Sequence, residues 1–122
     1  MDKAKVIERL DVQISARSKV LREFGKTLVE AIQPFFDLMG SQEIFQTAAE
    51  YHLYRGLRRI VMKMDGDVKA EHLDTYARNE LVNVAVNLVG RSTSTTHKLI
   101  VMAYVEAMAK FISNGVAEKL VR

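Results

Sequence analysis

Residues 67–89 read DVKAEHLDTYARNELVNVAVNLV, and the fold class turns on how that stretch is taken. Its second half, LVNVAVNLV over 81–89, alternates and is rich in valine, the pattern of a half-buried strand. Its first half does not alternate. Val68, Leu73, Tyr76, Ala77 and Leu81 recur at helical spacing and fall on one helix face. A strand also needs a partner strand, and no other segment offers one. The stretch is therefore read as one helix, capped at its start by Asp67 and stopped by Gly90.

Outward from there, the same helical period continues in both directions. Asp65-Gly66 is a turn signal. Before it, Phe45, Ala49, Leu53, Leu57, Ile60, Val61 and Met64 mark the inner face of a helix running from an N-cap at Ser41 to about Met64. Pro34 to Gly40 is an apolar connector containing Phe35, Phe36, Leu38 and Met39, expected to pack onto the core. The first helix spans about Asp2 to Gln33 and ends before Pro34. After Gly90, the hydroxyls of Ser92 to Thr96 cap a fourth helix over about Thr95 to Ser113, which Asn114-Gly115 stops. Val116 to Arg122 is a short tail with room for one more turn. The expected architecture is all-α: a four-helix bundle-like single domain over 1–122 with a long N-terminal helix.

Composition agrees. A chain of 122 residues with 48% hydrophobic residues fits one domain with a real core. A single proline and six glycines leave room for long uninterrupted helices. There are no cysteines, which excludes disulfides, thiolate zinc sites and thiol nucleophiles. Met1 to Leu10 has no apolar h-region, so no signal peptide is expected, and the setting is read as cytoplasmic. The longest apolar run, Leu99 to Phe111, is broken by Glu106 and Lys110 and is too short and charged to span a bilayer. Net charge is +3, with +2 in residues 1–33, zero in 34–66, −2 in 67–90 and +3 in 91–122. That balance permits nucleic-acid binding without arguing for it.

Two helices carry more apolar surface than the chain itself is expected to cover. In the first, Ile7, Leu10, Ile14, Leu21, Phe24, Leu28 and Ala31 follow steps of 3, 4, 7, 3, 4 and 3, a heptad-like stripe whose one polar occupant is Arg17. At 1.5 Å per residue that helix is roughly 45 Å long, beyond what the remaining chain comfortably covers. The fourth helix is apolar nearly all round, with only Glu106 and Lys110 polar within Leu99–Ile112, as expected of a central helix wrapped by the others or shared with a second copy. A homo-oligomer follows, by symmetry a dimer, with Ile7, Leu10, Ile14, Arg17, Leu21, Phe24 and Leu28 as the interface. An acid such as Glu23 or Glu30 is expected to meet Arg17 across it.

Three further features bear on partners. Arg55, Arg58, Arg59 and Lys63 form a basic cluster with no acid between them, covering an arc of about 140° that His52 and Tyr51 extend. Such a face suits an anion, whether phosphate backbone, acidic protein or anionic lipid, and equally suits a solvated helix C-terminus. Ala85 to Leu99, with Gly90 at the turn, resembles a helix-turn-helix over about a fifth of the chain, which would put Arg91, Ser92, Ser94, Thr95, Thr96, His97 and Lys98 against DNA. It departs from that motif at Arg91 and Thr96, where apolar residues belong, and at Val86, where a small one does. Asn79, Asn83 and Asn87 make an amide ladder that is either a register element between helices or a solvent face.

No reaction is indicated. His52, His72 and His97 have no i,i+4 partner, Asp65, Asp67 and Glu71 lack the glycine and spaced acids of a calcium loop, and no phosphate loop or nucleophile elbow occurs. The sequence is thus read as a non-enzymatic interaction protein, an adaptor, assembly or regulatory factor acting as a homodimer on another protein, without cofactor or membrane. The alternative is a nucleic-acid-binding regulator using the basic face at Arg55 to Lys63 or the Gly90 to Lys98 turn of the helix-turn-helix-like segment 85–99.

Overall fold

In a computed structural model the chain is described over residues 1–30, 38–90 and 94–122, with side chains outside 24–30, 38–42, 88–89, 96–97 and 100. Five α-helices result: α1 (Lys3–Glu30), α2 (Leu38–Lys63), α3 (Ala70–Val84), α4 (Thr95–Ser113) and α5 (Val116–Val121). Residues 81–89 are helical throughout, α3 running on into one π turn at Ala85–Val89. No strand occurs among the described residues.

α1 and α2 run antiparallel as the main packed pair. Lys3 at one end donates to the carbonyls of Met62 and Met64, Asp11 meets Arg58, and Arg17 meets Glu50 further along. Two apolar clusters flank α2. One joins Val6 and Leu10 of α1, Tyr54, Leu57 and Val61 of α2, Val68 and Leu73 at the start of α3, and Val116, Ala117 and Leu120 at α5. The other joins Ala49 and Leu53 of α2 with Ala77, Val84, Met108 and Ile112 from α3 and α4. Fully burying each large aliphatic side chain among these contributes about 1.5–3 kcal/mol. α2, present in both clusters, is the central helix, and α4 lies to one side with Leu99 and Met102 mostly in solvent.

The long first helix finds its cover inside the chain. α2 is nearly as long and lies along it, while the tail, a full helix rather than a fray, adds cover at Val6, Arg9 and Leu10. Leu10 is completely buried inside the chain, and Ile7 and Ile14 pack against the same cluster. Three of the seven residues read as an oligomer interface thus belong to the core or its edge, and Leu21 is half-buried. Phe24 and Leu28 lie outside the described side chains.

Helix ends depart from the expected caps. α2 begins at Leu38, so Gly40 and Ser41 are helical and Ser41 is no cap; Pro34 to Asp37 lie outside the described residues. α3 begins after Lys69, without a side-chain cap, because Val68 is held down as core and pairs its backbone with Met1, which draws Asp67 away from the helix start. The helical run closes at Gly90 as its C-cap, with a right-handed backbone at φ −64° rather than the left-handed one glycine often supplies. The turns at Gly66 and Gly115 do need glycine, with φ of +84° and +80°. Two α1 cations close helix C-termini: Lys3 that of α2, and Arg9 that of α5 through the carbonyls of Leu120 and Arg122.

Candidate interaction surfaces

Arg17 sits between α1 and α2, four-fifths buried. Its guanidinium donates to Glu50 at 3.2 Å and to Gln13 Oε1 at 2.6 Å, and lies 4.7 Å over the Tyr54 ring. Its Nε is buried without an acceptor. The acid expected from a second copy is thus supplied inside the chain by Glu50, brought alongside because α1 and α2 are antiparallel. Tyr54 in turn stacks edge-on against Phe111 of α4, at 5.1 Å between centroids. Burial pushes the Tyr54 phenol above its ordinary value, with Arg17 opposing and Glu50 adding to the shift.

A second polar node joins α2, α3 and α4. His52 and Glu80 are 2.8 Å apart. Tyr76 packs so closely on Gly56 that a Cβ there would lie 2.5 Å from its hydroxyl. Burial and Glu80 raise both Tyr76 and Tyr104, with Arg59 partly opposing at Tyr76. A carboxylate that orients an imidazole is half of a general-base device. Yet the clefts on α1, between α3 and α5, and between α2 and α4 are lined by neither residue. His72 is exposed, and no three His, Asp or Glu side chains converge as metal ligands among the described residues. The His52–Glu80 pair was invisible in sequence because its members are 28 apart on different helices.

The basic cluster of α2 is less uniform than its sequence. Arg58 is bound to Asp11 of α1 at 2.6 Å, and Arg55 lies over the Tyr51 ring at 5.6 Å. Arg55, Arg59 and Lys63 remain exposed. Lys98 is exposed on α4, and Arg91 lies outside the described residues. Leu99, which a helix-turn-helix would bury, is 62% exposed, and the turn residues 91–93 lie outside the described residues. Asn79, Asn83 and Asn87 all face solvent.

Four of the large exposed apolar side chains among the described residues lie on the elements either side of the α3 to α4 junction. Val82, Val86, Leu99 and Met102 are 57–67% exposed there, and the π turn packs beside α4. Val12 and Val20 on α1 and Met62 on α2 are also exposed. Among the described residues no helix is long and apolar enough to cross a membrane. No protein-family model, curated protein or solved structure matches the chain.

Proposed function

We propose that the chain is a non-enzymatic helical interaction protein, an adaptor, assembly or regulatory factor, that works as a homodimer and docks another protein. The observation that supports this best is the apolar end formed by Val82, Val86, Leu99 and Met102. Singly exposed apolar residues are ordinary, but four at one end of a small domain mark a contact site. Sedimentation at micromolar concentration tests the oligomer: more than one chain per particle is expected, and a monomer throughout overturns it. For docking, Leu99→Ser with Met102→Ser is expected to leave the fold intact and abolish partner capture. Capture unchanged by that pair removes this end from the function.

A second reading, nucleic-acid or other polyanion binding, is favoured by the three exposed cations Arg55, Arg59 and Lys63 on one face. Binding of this kind falls steeply with salt, because each neutralised phosphate releases counterions. A polarisation assay on mixed DNA and RNA at low salt that shows no binding eliminates it.

A further inference from the structure

The outer face of α1 carries five exposed residues at steps of 3, 4, 4 and 3: Glu8, Asp11, Ser15, Lys19 and Arg22. At 100° per residue they fall within an arc of about 80°, on the side opposite Val6, Leu10 and Arg17. The spacing is palindromic about Ser15, and the charge is antisymmetric: two acids on one side, two bases on the other. Ser15 itself lies near the middle of Lys3–Glu30.

This pattern is unfavourable in a lone helix. Like charges three apart repel, and both Glu8/Asp11 and Lys19/Arg22 are such pairs. The helix dipole does not offset that repulsion, because its influence fades within the first and last turns, whereas these residues lie one or more turns further in. The rest of the chain offsets it only at Asp11, whose Oδ1 meets Arg58 and whose Oδ2 is left over; among the described residues Glu8, Lys19 and Arg22 have no ion-pair partner.

Laid antiparallel against a copy of itself with Ser15 opposite Ser15, the same face is complementary throughout. Glu8 meets Arg22 of the second chain, Asp11 meets Lys19, and the twofold axis repeats both pairs. The small Ser15 lets the helices approach at the centre, and Val12, 62% exposed, and Ala16 from both chains line one side of the seam. A parallel pair would set Glu8 on Glu8 and Arg22 on Arg22. We propose that the chain dimerises through this outer face of α1, antiparallel and centred on Ser15, with Glu8–Arg22 and Asp11–Lys19 as its cross-chain pairs. This rests on the homo-oligomer reading and replaces the inward-facing stripe as its interface. A single helix pair buries on the order of 1,000 Å² in total, so the dimer is weak and concentration-dependent.

Charge exchange tests it. Glu8→Arg and Arg22→Glu each convert two attractive contacts into repulsive ones, and each alone is expected to weaken association about tenfold. In an equimolar mixture of the two variants, the new base at position 8 of one chain faces the new acid at position 22 of the other. The unaltered Arg22 of the first chain faces the unaltered Glu8 of the second, so every contact is attractive again and association is expected to return. The chain has no cysteine, so Ser15→Cys is diagnostic as well. Opposed Cα atoms of close-packed helices are about 5 Å apart, within disulfide reach, and mild oxidation is expected to give a covalent dimer. Glu71→Cys, at an exposed position on α3, is expected to give none. If the charge variants still associate like the parent and Ser15→Cys does not cross-link, the α1 face is not the interface, while the homo-oligomer reading stands. A parent chain that is monomeric at every concentration overturns both.

Discussion

Glu50→Leu removes the only carboxylate paired with Arg17 among the described residues and leaves the guanidinium between α1 and α2. Stranding one partner of a fully buried pair costs about 3–5 kcal/mol. Here the side chains are 20% and 16% exposed, and Gln13 and the Tyr54 ring stay with the cation. The expected loss is therefore smaller, about 2 kcal/mol, or roughly 8 °C in Tm for a domain of this size. Arg17→Leu strands Glu50 in the same way. Removing both charges together replaces a pair whose Nε is already unsatisfied with aliphatic packing, so the double variant is expected to lie close to the parent. Urea unfolding followed by circular dichroism, over the four proteins of the cycle, gives the coupling. A Glu50→Leu cost below about 0.5 kcal/mol, or single costs that simply add, would show an ordinary solvent-screened pair and refute the reasoning.

Gly56→Ala gains about 1 kcal/mol of helix propensity but drives its methyl into the Tyr76 hydroxyl, so a net loss is expected in denaturant midpoint; in a Tyr76→Ala background the same change is expected to stabilise. Tyr54, Tyr76 and Tyr104 all have folded pKa values above their unfolded ones, so the fold binds these protons more tightly than the open chain. Their contribution is full below about pH 10 and is lost as pH rises through the folded values; denaturant midpoints measured across that range should decline, and midpoints that hold steady would contradict the shifts. Arg9→Ala frees the carbonyls of Leu120 and Arg122 and is expected to cost about 1 kcal/mol, with hydrogen exchange accelerating first in α5.

The helices were legible because their periods are local. The inner faces of α2 and α3, the start and end of α4 and the Gly66 and Gly115 turns follow from spacing and breakers alone. What covers them was not, because that depends on which helix lies beside which. Leu10 reads equally well as core or interface until α2 and α5 are placed over it, and the six residues of α5 are too few to announce themselves as its cover. Arg17 looked like a register element between chains for the same reason: its acid is 33 residues away and on another helix. Caps failed where a tertiary demand overrode local chemistry, as at Val68, whose burial delays α3 past Asp67. The exposure of Leu99 and Met102 was hidden by a helix apolar on every side, which gives no phase to read.

The π turn at Ala85–Val89 holds one residue more than the α-helical turn it replaces. Insertions and deletions usually fall in loops, where backbone can lengthen without displacing the next element. Here the extra residue sits inside a helix, beside α4, and deleting a solvent-facing residue such as Asn87 is expected to let α3 continue in regular register toward Gly90. The segment is thus where a one-residue change in the spacing between α3 and α4 is expected to be tolerated, with the buried contacts of Val84 on one side and Met108 on the other kept where they are.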